Sequence, residues 1–232
     1  MINHLAIIMD GNARWAQLNG LKTVDGHIAG AKAVARLIKA IEHTPIPFLT
    51  LYAFSTENFN RGELEVTSIL NVIGQFLIDD ILPLALIHGY RVTFLGNFDM
   101  LPKYICDICN TIIQKTHLNA NCTIAIALGY GGRQEIVSAV NVAIDRKRLT
   151  NDLSPVSYEE LRAALYDPSI PDPELVVRYG GKCRLSNFMP IQTAYSDFIF
   201  TNKLWPDFED ADLNEFLSDY SKITVTHGGR NA

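Results

Sequence analysis

Cysteine is scarce in this chain, with four residues among 232. Cys106, Cys109, Cys122 and Cys183 are too few for a disulfide framework, so a reducing cytoplasm is expected. Cys106 and Cys109 form a lone CxxC, and neither a second CxxC nor a nearby His pair completes a zinc set. The pattern therefore predicts buried or half-buried free thiols rather than a metal or redox centre.

Positive charge and long apolar runs are also limited. Lys and Arg total 20 against 25 Asp and Glu, and the net charge of -5 argues against nucleic acid as a partner. The apolar run Ile81–Ile87 is far shorter than the roughly 20 residues that span a bilayer, so no transmembrane segment is expected. Asp10 interrupts the first apolar run too early for a signal peptide.

Hydrophobic residues make up 48% of the chain, which is enough to build a large core. The length fits a single domain over residues 1–232. Apolar runs without alternation predict strands covered on both faces, and helical periodicity fills the intervals between them. The alternation predicts an α/β fold with a mainly parallel, six-stranded sheet flanked by helices. The predicted strands are Leu5–Met9, Phe48–Phe54, Arg91–Gly96, Thr123–Leu128, Leu175–Arg178 and Phe198–Phe200. The predicted helices cover about 28–43, 65–88, 101–118, 133–147, 157–165 and 209–222.

Three polar clusters follow predicted strands directly: Asp10–Trp15, Ser55–Arg61 and Arg178–Asn187. Ligands of open parallel sheets bind beyond the carboxyl ends of the strands, so the clusters are expected to meet in one crevice. Taken alone, Asp-Gly-Asn at the start of the first cluster is ordinary turn chemistry. The prediction of a site rests on the concurrence of all three clusters.

The residue types in these clusters indicate an anion site. Asp10 can hold Mg²⁺ against phosphate oxygens, and Gly11 lets the backbone approach a ligand. Gly26-His27 is expected to precede a helix, whose free N–H groups would face a phosphate. The arginines, which can bind phosphate bidentately, are Arg14, Arg61, Arg178 and Arg184.

The glycine-rich segment GYGGRQE at Gly129–Glu135 has Gln134 where a dinucleotide-binding fingerprint requires its third glycine. A tight strand-to-helix turn is therefore predicted there. Lys182 follows two glycines but lacks the spacing of a P-loop, which argues against a kinase of that class.

Five segments together resemble the cis-prenyltransferase family, most closely the bacterial undecaprenyl diphosphate synthases. They occur in family order from His4 to Phe208, which covers nearly the whole chain. The segments are HLAIIMDGNARWA, GHIAGAKAV, LTLYAFSTENFNR, GYGGRQEIV and RYGGKCRLSNFMPIQTAYSDFIFTNKLWPDF. Helical trans-prenyl synthases are a poor match, because they need DDxxD pairs and Asp79-Asp80 is followed by Ile81-Leu82-Pro83.

The resemblance implies roles for residues at matched positions. Asp10 and Asn58 would be catalytic, and Asp10 and Asp197 would bind Mg²⁺. His227-Gly228-Gly229 would reach the acceptor site of the partner subunit. The donor diphosphate would contact Gly11, Asn12, Arg14 and His27. The substrate and active-site loop would include Trp15, Ser55, Glu57, Phe59 and Arg61. The acceptor diphosphate would contact Arg178, Arg184 and Ser186.

The implied activity is Mg²⁺-dependent condensation of isopentenyl diphosphate with an allylic diphosphate such as farnesyl diphosphate. The implied product is a long-chain polyprenyl diphosphate such as undecaprenyl diphosphate, a lipid carrier for the cell wall. The resemblance further implies a homodimer, a hydrophobic tunnel for the growing chain and a transient membrane contact on product release. Ile69, Leu70, Val72 and Ile73 are candidates for the tunnel wall or for ordinary helix core.

Several positions depart from the family pattern, and they keep two alternatives open. Ala13 replaces a usual Gly, Thr23 a usual Arg, Gly129 a usual Asn and Lys182 a usual Glu. One alternative is a cis-prenyltransferase that makes a short or irregular product. The other is a non-catalytic dimer partner that retains the fold, although the retained cluster residues argue against it.

Overall fold

A six-stranded sheet forms the centre of the computed structural model, which describes residues 2–222. The strands are β1 (His4–Ile8), β2 (Phe48–Ser55), β3 (Tyr90–Leu95), β4 (Cys122–Tyr130), β5 (Leu175–Arg178) and β6 (Asp197–Phe200). Their order is β3-β4-β2-β1-β5-β6, and all five pairs are parallel. The predicted α/β class and all six predicted strands are confirmed.

Eight α-helices surround the sheet in the described part of the chain. They are α1 (Asn12–Leu18), α2 (Thr23–Ile41), α3 (Glu63–Phe76), α4 (Leu82–His88), α5 (Lys103–Thr116), α6 (Gly132–Leu149), α7 (Tyr158–Arg162) and α8 (Asp210–Ser221). A π-helical turn, Leu77–Ile81, joins α3 to α4. Short 3₁₀ turns occupy Thr56–Asn60, Phe98–Met100 and Trp205–Asp207.

Two local predictions about the first helices are wrong. Gly11, with φ of 114°, ends the segment after β1 and starts α1 at Asn12, where a simple turn was expected. Helix α2 begins at Thr23, because the Asp25 carboxylate accepts the Lys22 backbone N–H at 3.0 Å and satisfies a free donor there. His27 therefore lies inside α2, not at a free helix start.

The two faces of the sheet carry alternate residues of each strand. In β1, Leu5 and Ile7 pack on one face, in the larger core formed with α2, α3, α5 and α8. Ala6 and Ile8 face the other side, where they pack with Phe188 and neighbouring apolar residues. Burial on both faces explains why β1 reads as a continuous apolar run instead of an alternating one.

The helical stretch Glu63–His88, which contains α3, the π turn and α4, is long and apolar enough to cross a membrane by length and composition. The sequence run alone had suggested no such segment. Ile69, Leu77 and Ile81 from this stretch are buried in the larger core, although only 33% of its apolar window is buried.

Candidate active site

The order of the strands brings the three polar clusters together. β2, β1 and β5 are neighbours in the sheet, and each ends where one polar cluster begins. A cleft of about 670 Å³ lies at these strand ends. The predicted site residues that line it are Asp10, Gly11, Asn12, Arg14, His27, Ser55, Glu57, Asn58, Arg61, Arg178, Arg184 and Ser186. The expected convergence at the carboxyl end of a parallel sheet is thus observed.

Asp10 lies between two arginines, two residues after the end of β1. Its Oδ1 accepts from Arg14 Nη2 at 3.1 Å, and its Oδ2 accepts from Arg178 Nη2 at 2.9 Å. Arg14 Nη1 also donates to the Gly180 carbonyl at 2.7 Å. A Cβ at Gly180 would lie 2.4 Å from Arg14 Nη2, so glycine is required for this close approach.

Arg178 is the most enclosed cation of the cleft, with 4% of its side chain exposed. Its Nη1 donates to Ser186 Oγ at 2.8 Å and to the Arg184 carbonyl. Its Nε is buried and has no hydrogen-bond partner among the described residues. A buried guanidinium is expensive unless it is paired, so the Asp10 carboxylate compensates a charge that the fold would otherwise leave unmatched.

Asn12 and His27 lie deeper in the cleft and carry two further buried atoms without a partner in the described chain, Asn12 Oδ1 and His27 Nε2. Gly26 and Gly30 of α2 make room for Asn12, since added Cβ atoms would lie 2.1 Å from Asn12 O and 2.5 Å from Asn12 Oδ1. Burial, followed by the charge of Arg61, lowers the pKa of His27 below its usual value. Its imidazole is therefore neutral near pH 7.

The cluster after β2 forms a compact 3₁₀ turn. The Ser55 backbone N–H donates to Asn58 Oδ1 at 2.9 Å, which fixes Asn58 at the rim of the cleft. Burial favours the protonated form of Glu57, but hydrogen bonds from its own backbone N–H, Asn187, Thr56 and Ser55 outweigh it and lower its pKa. Glu57 is therefore an anion at neutral pH.

Arg61 and Arg184 sit more openly than Arg178. Arg61 Nη1 pairs with Glu65 Oε1 at 2.8 Å, one turn further along α3. Arg184 and Ser186 are exposed at the cleft. Tyr52 Oη donates to the Ser186 carbonyl at 3.2 Å and thereby fixes this loop to β2.

An apolar cavity of about 80 Å³ adjoins the polar cleft. Its walls come largely from α2, α3, the π turn, β2 and β4. Val72, Ile73, Phe76 and Leu77 line it, whereas Leu70 is buried in the core without reaching it. Six residues border both spaces: Met9, Asn12, His27, Tyr52, Ala53 and Ile69. The site therefore combines an arginine-rich head region with an apolar compartment.

Some residues singled out from the sequence lie away from the cleft. Trp15 Nε1 donates to Asp207 Oδ1 at 2.6 Å, and Phe59 packs edge-on against Phe54 with ring centroids 5.0 Å apart. Asp197 is the first residue of β6 and lies opposite Leu175, the first residue of β5. Arg178 lies three residues further along β5. Asp197 and Asp10 therefore do not meet within one subunit, because Asp10 follows the opposite end of a parallel strand.

The segment His227-Gly228-Gly229 lies outside the described residues. Among the described residues 2–222, no group of three or more His, Cys, Asp or Glu side chains could hold a metal ion, at the CxxC or elsewhere. Cys109 is buried, and that burial raises its pKa to about 12, so its thiol is protonated at neutral pH. Cys106, Cys122 and Cys183 are also free thiols.

The structure accommodates three of the residues that depart from the family pattern without an unfavourable contact or conformation. Position 129 has φ of 61°, a left-handed conformation that both Gly and Asn tolerate. Ala13 is an ordinary residue of α1 at the cleft, where a Cβ has space. Thr23 is exposed at the start of α2. Nothing in the structure explains Lys182, which is exposed.

Sequence reasoning missed three polar residues of the site: Asn187, Arg133 and Tyr52, all of which line the cleft. Asn187 is the last residue of the cluster Arg178–Asn187, where the predicted anion site rested on the arginines. Arg133 belongs to a glycine-rich segment that was interpreted as a turn. That turn is confirmed, since β4 ends at Tyr130 and α6 begins at Gly132. Tyr52 is hidden in the apolar pattern of β2.

Fold and cleft define an α/β protein with a cationic pocket adjoining an apolar cavity. A family described as putative undecaprenyl diphosphate synthase matches residues 8–228. Isoprenyl transferases of Rickettsia typhi and Oceanobacillus iheyensis are 39% and 38% identical to this chain. These matches cover 99% and 98% of the chain, and 99% and 90% of those proteins.

Two solved structures are also similar. The crystal structure of lavandulyl diphosphate synthase from Lavandula x intermedia, in complex with dimethylallyl diphosphate, has a TM-score of 0.94 at 31% identity and covers 98% of both chains. A probable undecaprenyl diphosphate synthase from Campylobacter jejuni has a TM-score of 0.83 at 26% identity over 99% of both chains. The chain belongs to the cis-prenyltransferase family and is a prenyltransferase of isoprenoid biosynthesis.

Proposed function

We propose that this prenyltransferase catalyses Mg²⁺-dependent condensation of isopentenyl diphosphate with an allylic diphosphate, with farnesyl diphosphate as the donor. The product would be a long-chain polyprenyl diphosphate such as undecaprenyl diphosphate. The observation that carries the proposal is that the arginine-rich cleft adjoins the apolar cavity, the two spaces sharing lining residues that include Asn12, His27 and Ala53. A molecule with an anionic head and a hydrocarbon tail matches both compartments.

The donor diphosphate would lie against Gly11, Asn12, Arg14 and His27, where the buried His27 Nε2 has no partner among the described residues. A neutral His27 with its proton on Nε2 would donate one hydrogen bond to a phosphate oxygen. The donor's allylic tail would then enter the apolar cavity, which begins beside the same two residues.

The acceptor diphosphate would lie at the β5 end of the cleft. Arg178 and Ser186 are already joined at 2.8 Å there, and Arg184 belongs to the same loop. Asn58 and Arg61 would sit over the reacting carbons from the β2 side. We propose supporting roles for Trp15 of α1, for Glu57 and Phe59 of the 3₁₀ turn, and for Ser55, which precedes that turn.

Asp10 is the residue that would hold Mg²⁺. Its oxygens are hard donors, its side chain is 31% exposed at the cleft, and magnesium sites often combine one carboxylate with substrate phosphates. Both oxygens now contact arginines, so these contacts would have to rearrange. Bound Mg²⁺ would neutralise charge on the diphosphate, and a role for Asp197 would require a second subunit.

The protein's own contribution to the chemistry is positioning and charge stabilisation. Electrons of the breaking C1–O bond go to the donor diphosphate, where Arg14 and the other cleft donors would stabilise the growing negative charge. The acceptor double bond supplies the electron pair of the new carbon–carbon bond. Loss of a proton from the acceptor then forms the new cis double bond.

A short or irregular product is the second candidate, and a specific observation favours it. The apolar cavity of about 80 Å³ has room for only a few water-sized groups. A long chain would require α3 and the π turn, which line the cavity, to move outward from the sheet and extend it into a tunnel. The high structural similarity to the lavandulyl diphosphate synthase also supports this alternative.

We further propose that residues 1–232 act as one catalytic domain, in the cytoplasm, as a homodimer. The free cysteines support a reducing compartment. The edge strand β6 supports self-association, since Phe198 and Phe200 are exposed on it with rings stacked 5.9 Å apart. A transient membrane contact would then serve product release.

A product assay tests these proposals. The purified chain is incubated with Mg²⁺, labelled isopentenyl diphosphate and farnesyl diphosphate, and products are separated by chromatography. Polyprenyl chains of many units would support the main proposal. Short products, or branched products from dimethylallyl diphosphate alone, would favour the second candidate. No more label incorporated by the wild-type chain with Mg²⁺ than in an EDTA-treated control would contradict both.

A further inference from the structure

Asn187 uses its whole side-chain amide to join separate parts of the cleft. Its Nδ2 donates to Glu57 Oε1 at 2.7 Å and to Gln134 Oε1 at 3.1 Å. Its Oδ1 accepts the Arg133 backbone N–H at 2.8 Å. Its own carbonyl accepts the Gly132 N–H at 2.7 Å. One residue thus connects the loop after β5, the 3₁₀ turn after β2 and the start of α6.

The backbone around Asn187 is unusual. Ser186, Asn187 and Met189 have φ of 52°, 64° and 45°, all in the left-handed region. Asparagine tolerates this conformation, but Ser186 and Met189 are strained in it, and such a backbone persists only where surrounding contacts determine it. The amide contacts of Asn187 provide part of that constraint.

The neighbouring glycines leave space for these contacts. A Cβ at Gly131 would lie 2.3 Å from Gln134 Oε1 and 2.9 Å from Asn187 Nδ2. A Cβ at Gly132 would lie 2.0 Å from Pro190 Cδ and 3.1 Å from the Asn187 carbonyl oxygen. The two glycines therefore let the turn before α6 approach the loop that carries Asn187 and Pro190.

The position of Asn187 in the chain gives these contacts a functional meaning. Ser186, which bonds Arg178, directly precedes it, and Glu57, its anionic partner, directly precedes Asn58. We propose that Asn187 is a positioning residue that sets the separation between Ser186 and Asn58 across the cleft. It acts through Glu57 and the loop backbone. This inference rests on the proposed function, because Ser186 and Asn58 are assigned there to the acceptor and the reacting carbons.

Asn187→Gly isolates the side chain, because glycine adopts a φ of 64° without strain. Asn151→Gly is the matched control: Asn151 is also left-handed, with φ of 54°, but lies exposed after the far end of α6. Loss of a charge-assisted hydrogen bond predicts a fall of about 10- to 100-fold in kcat/KM for isopentenyl diphosphate. The KM for the allylic donor should stay within about twofold of wild type, as should both constants in the control.

An exchange of charge tests the contact with Glu57 itself. Asn187→Asp replaces the amide donor with a carboxylate, which would face the Glu57 carboxylate across a contact that now measures 2.7 Å. Repulsion between the two charges should lower kcat/KM by about 100-fold. In a Glu57→Gln background, the amide introduced at position 57 can donate to the new carboxylate. The same substitution should then cost less than about threefold, measured relative to Glu57→Gln alone.

Equal costs of Asn187→Asp in the two backgrounds would overturn the proposal, as would an Asn187→Gly enzyme that behaves like the Asn151→Gly control. The same cycle of variants is followed by thermal unfolding, which needs no substrate. A wild-type chain that condenses no prenyl diphosphates would contradict the proposed function, while a thermal coupling between Asn187 and Glu57 would still report their contact. The two failures are therefore distinguishable.

Discussion

Arg178 Nη2 and Asp10 Oδ2 lie 2.9 Å apart and join the end of β5 to the end of β1. Arg178 is almost fully enclosed, whereas Asp10 is 31% exposed. The ion pair therefore neutralises a buried cation, while the Asp10 carboxylate remains accessible to a ligand. Its two roles predict that substitution of Asp10 will affect stability as well as catalysis.

Asp10→Ala should lower turnover by about 100-fold or more, since a carboxylate that organises charge at the leaving group is lost. It should also lower the free energy of unfolding by about 1–3 kcal/mol, because partial exposure lets water offset some of the unpaired Arg178 charge. Initial rates and urea denaturation measure the two effects. Asp107→Ala, which removes an exposed ion pair with Lys103, is the control and should change neither. An Asp10→Ala enzyme of wild-type rate would remove Asp10 from the mechanism.

Gly30→Ala should weaken donor binding. The added Cβ would lie 2.5 Å from Asn12 Oδ1, so the Asn12 side chain must leave its place in the cleft. We expect the KM for the allylic diphosphate to rise about tenfold, the loss of roughly one hydrogen bond to a charged group. Gly62→Ala is the control, because a Cβ there meets nothing within 4 Å. An unchanged donor KM in Gly30→Ala would argue against Asn12 as a donor contact.

Ala53→Leu should shorten the product. Ala53 borders both the cleft and the apolar cavity, and under the proposed function a larger side chain there would obstruct the growing chain. Product length is read by reverse-phase chromatography against chain-length standards. Ala211→Leu, on the exposed face of α8, is the matched control. A product distribution identical to wild type would place the growing chain elsewhere.

His4 should make stability depend on pH. It is fully buried between the Pro171 carbonyl and Thr50 Oγ1, and burial, the dominant effect, lowers its pKa from 6.5 to about 4. The unfolded chain binds a proton at His4 below about pH 6.5, whereas the folded chain binds it only below about pH 4. Stability from His4 is thus full above that window and is lost as pH falls through it, by about 3 kcal/mol in total.

Urea denaturation at several pH values measures this effect. His4→Gln should have a shallower fall in the free energy of unfolding between pH 6.5 and pH 4 than wild type. Identical slopes for His4→Gln and wild type would mean that His4 does not titrate abnormally.

The sequence predicted the sheet well because buried parallel strands have a simple signature. Every strand of β1 to β6 lies within two residues of its predicted bounds, and the polar clusters after β1, β2 and β5 meet as expected. That success has a physical basis. Continuous apolar runs are a local pattern that one sequence reveals, and the rule for ligand sites applies to parallel sheets in general, whatever their strand order.

The missed features depend on contacts that local patterns do not encode. Helix α1 needed a left-handed Gly11 to begin, and the start of α2 needed the Asp25 contact with the Lys22 N–H. The importance of Asn187 arises from partners that are 54 and 130 positions away. Such tertiary hydrogen bonds leave no periodicity in the chain, so only coordinates reveal them.

The neighbouring placement of β2, β1 and β5 has a consequence for how this enzyme can diversify. The proposed diphosphate contacts belong largely to the loops after these strands, while α3 and the π turn supply six of the residues that line the apolar cavity. Under the proposed function, substitutions in this helical wall would change which tails are accommodated while leaving the diphosphate contacts in place. Tail selectivity and bond formation would then be separately adjustable.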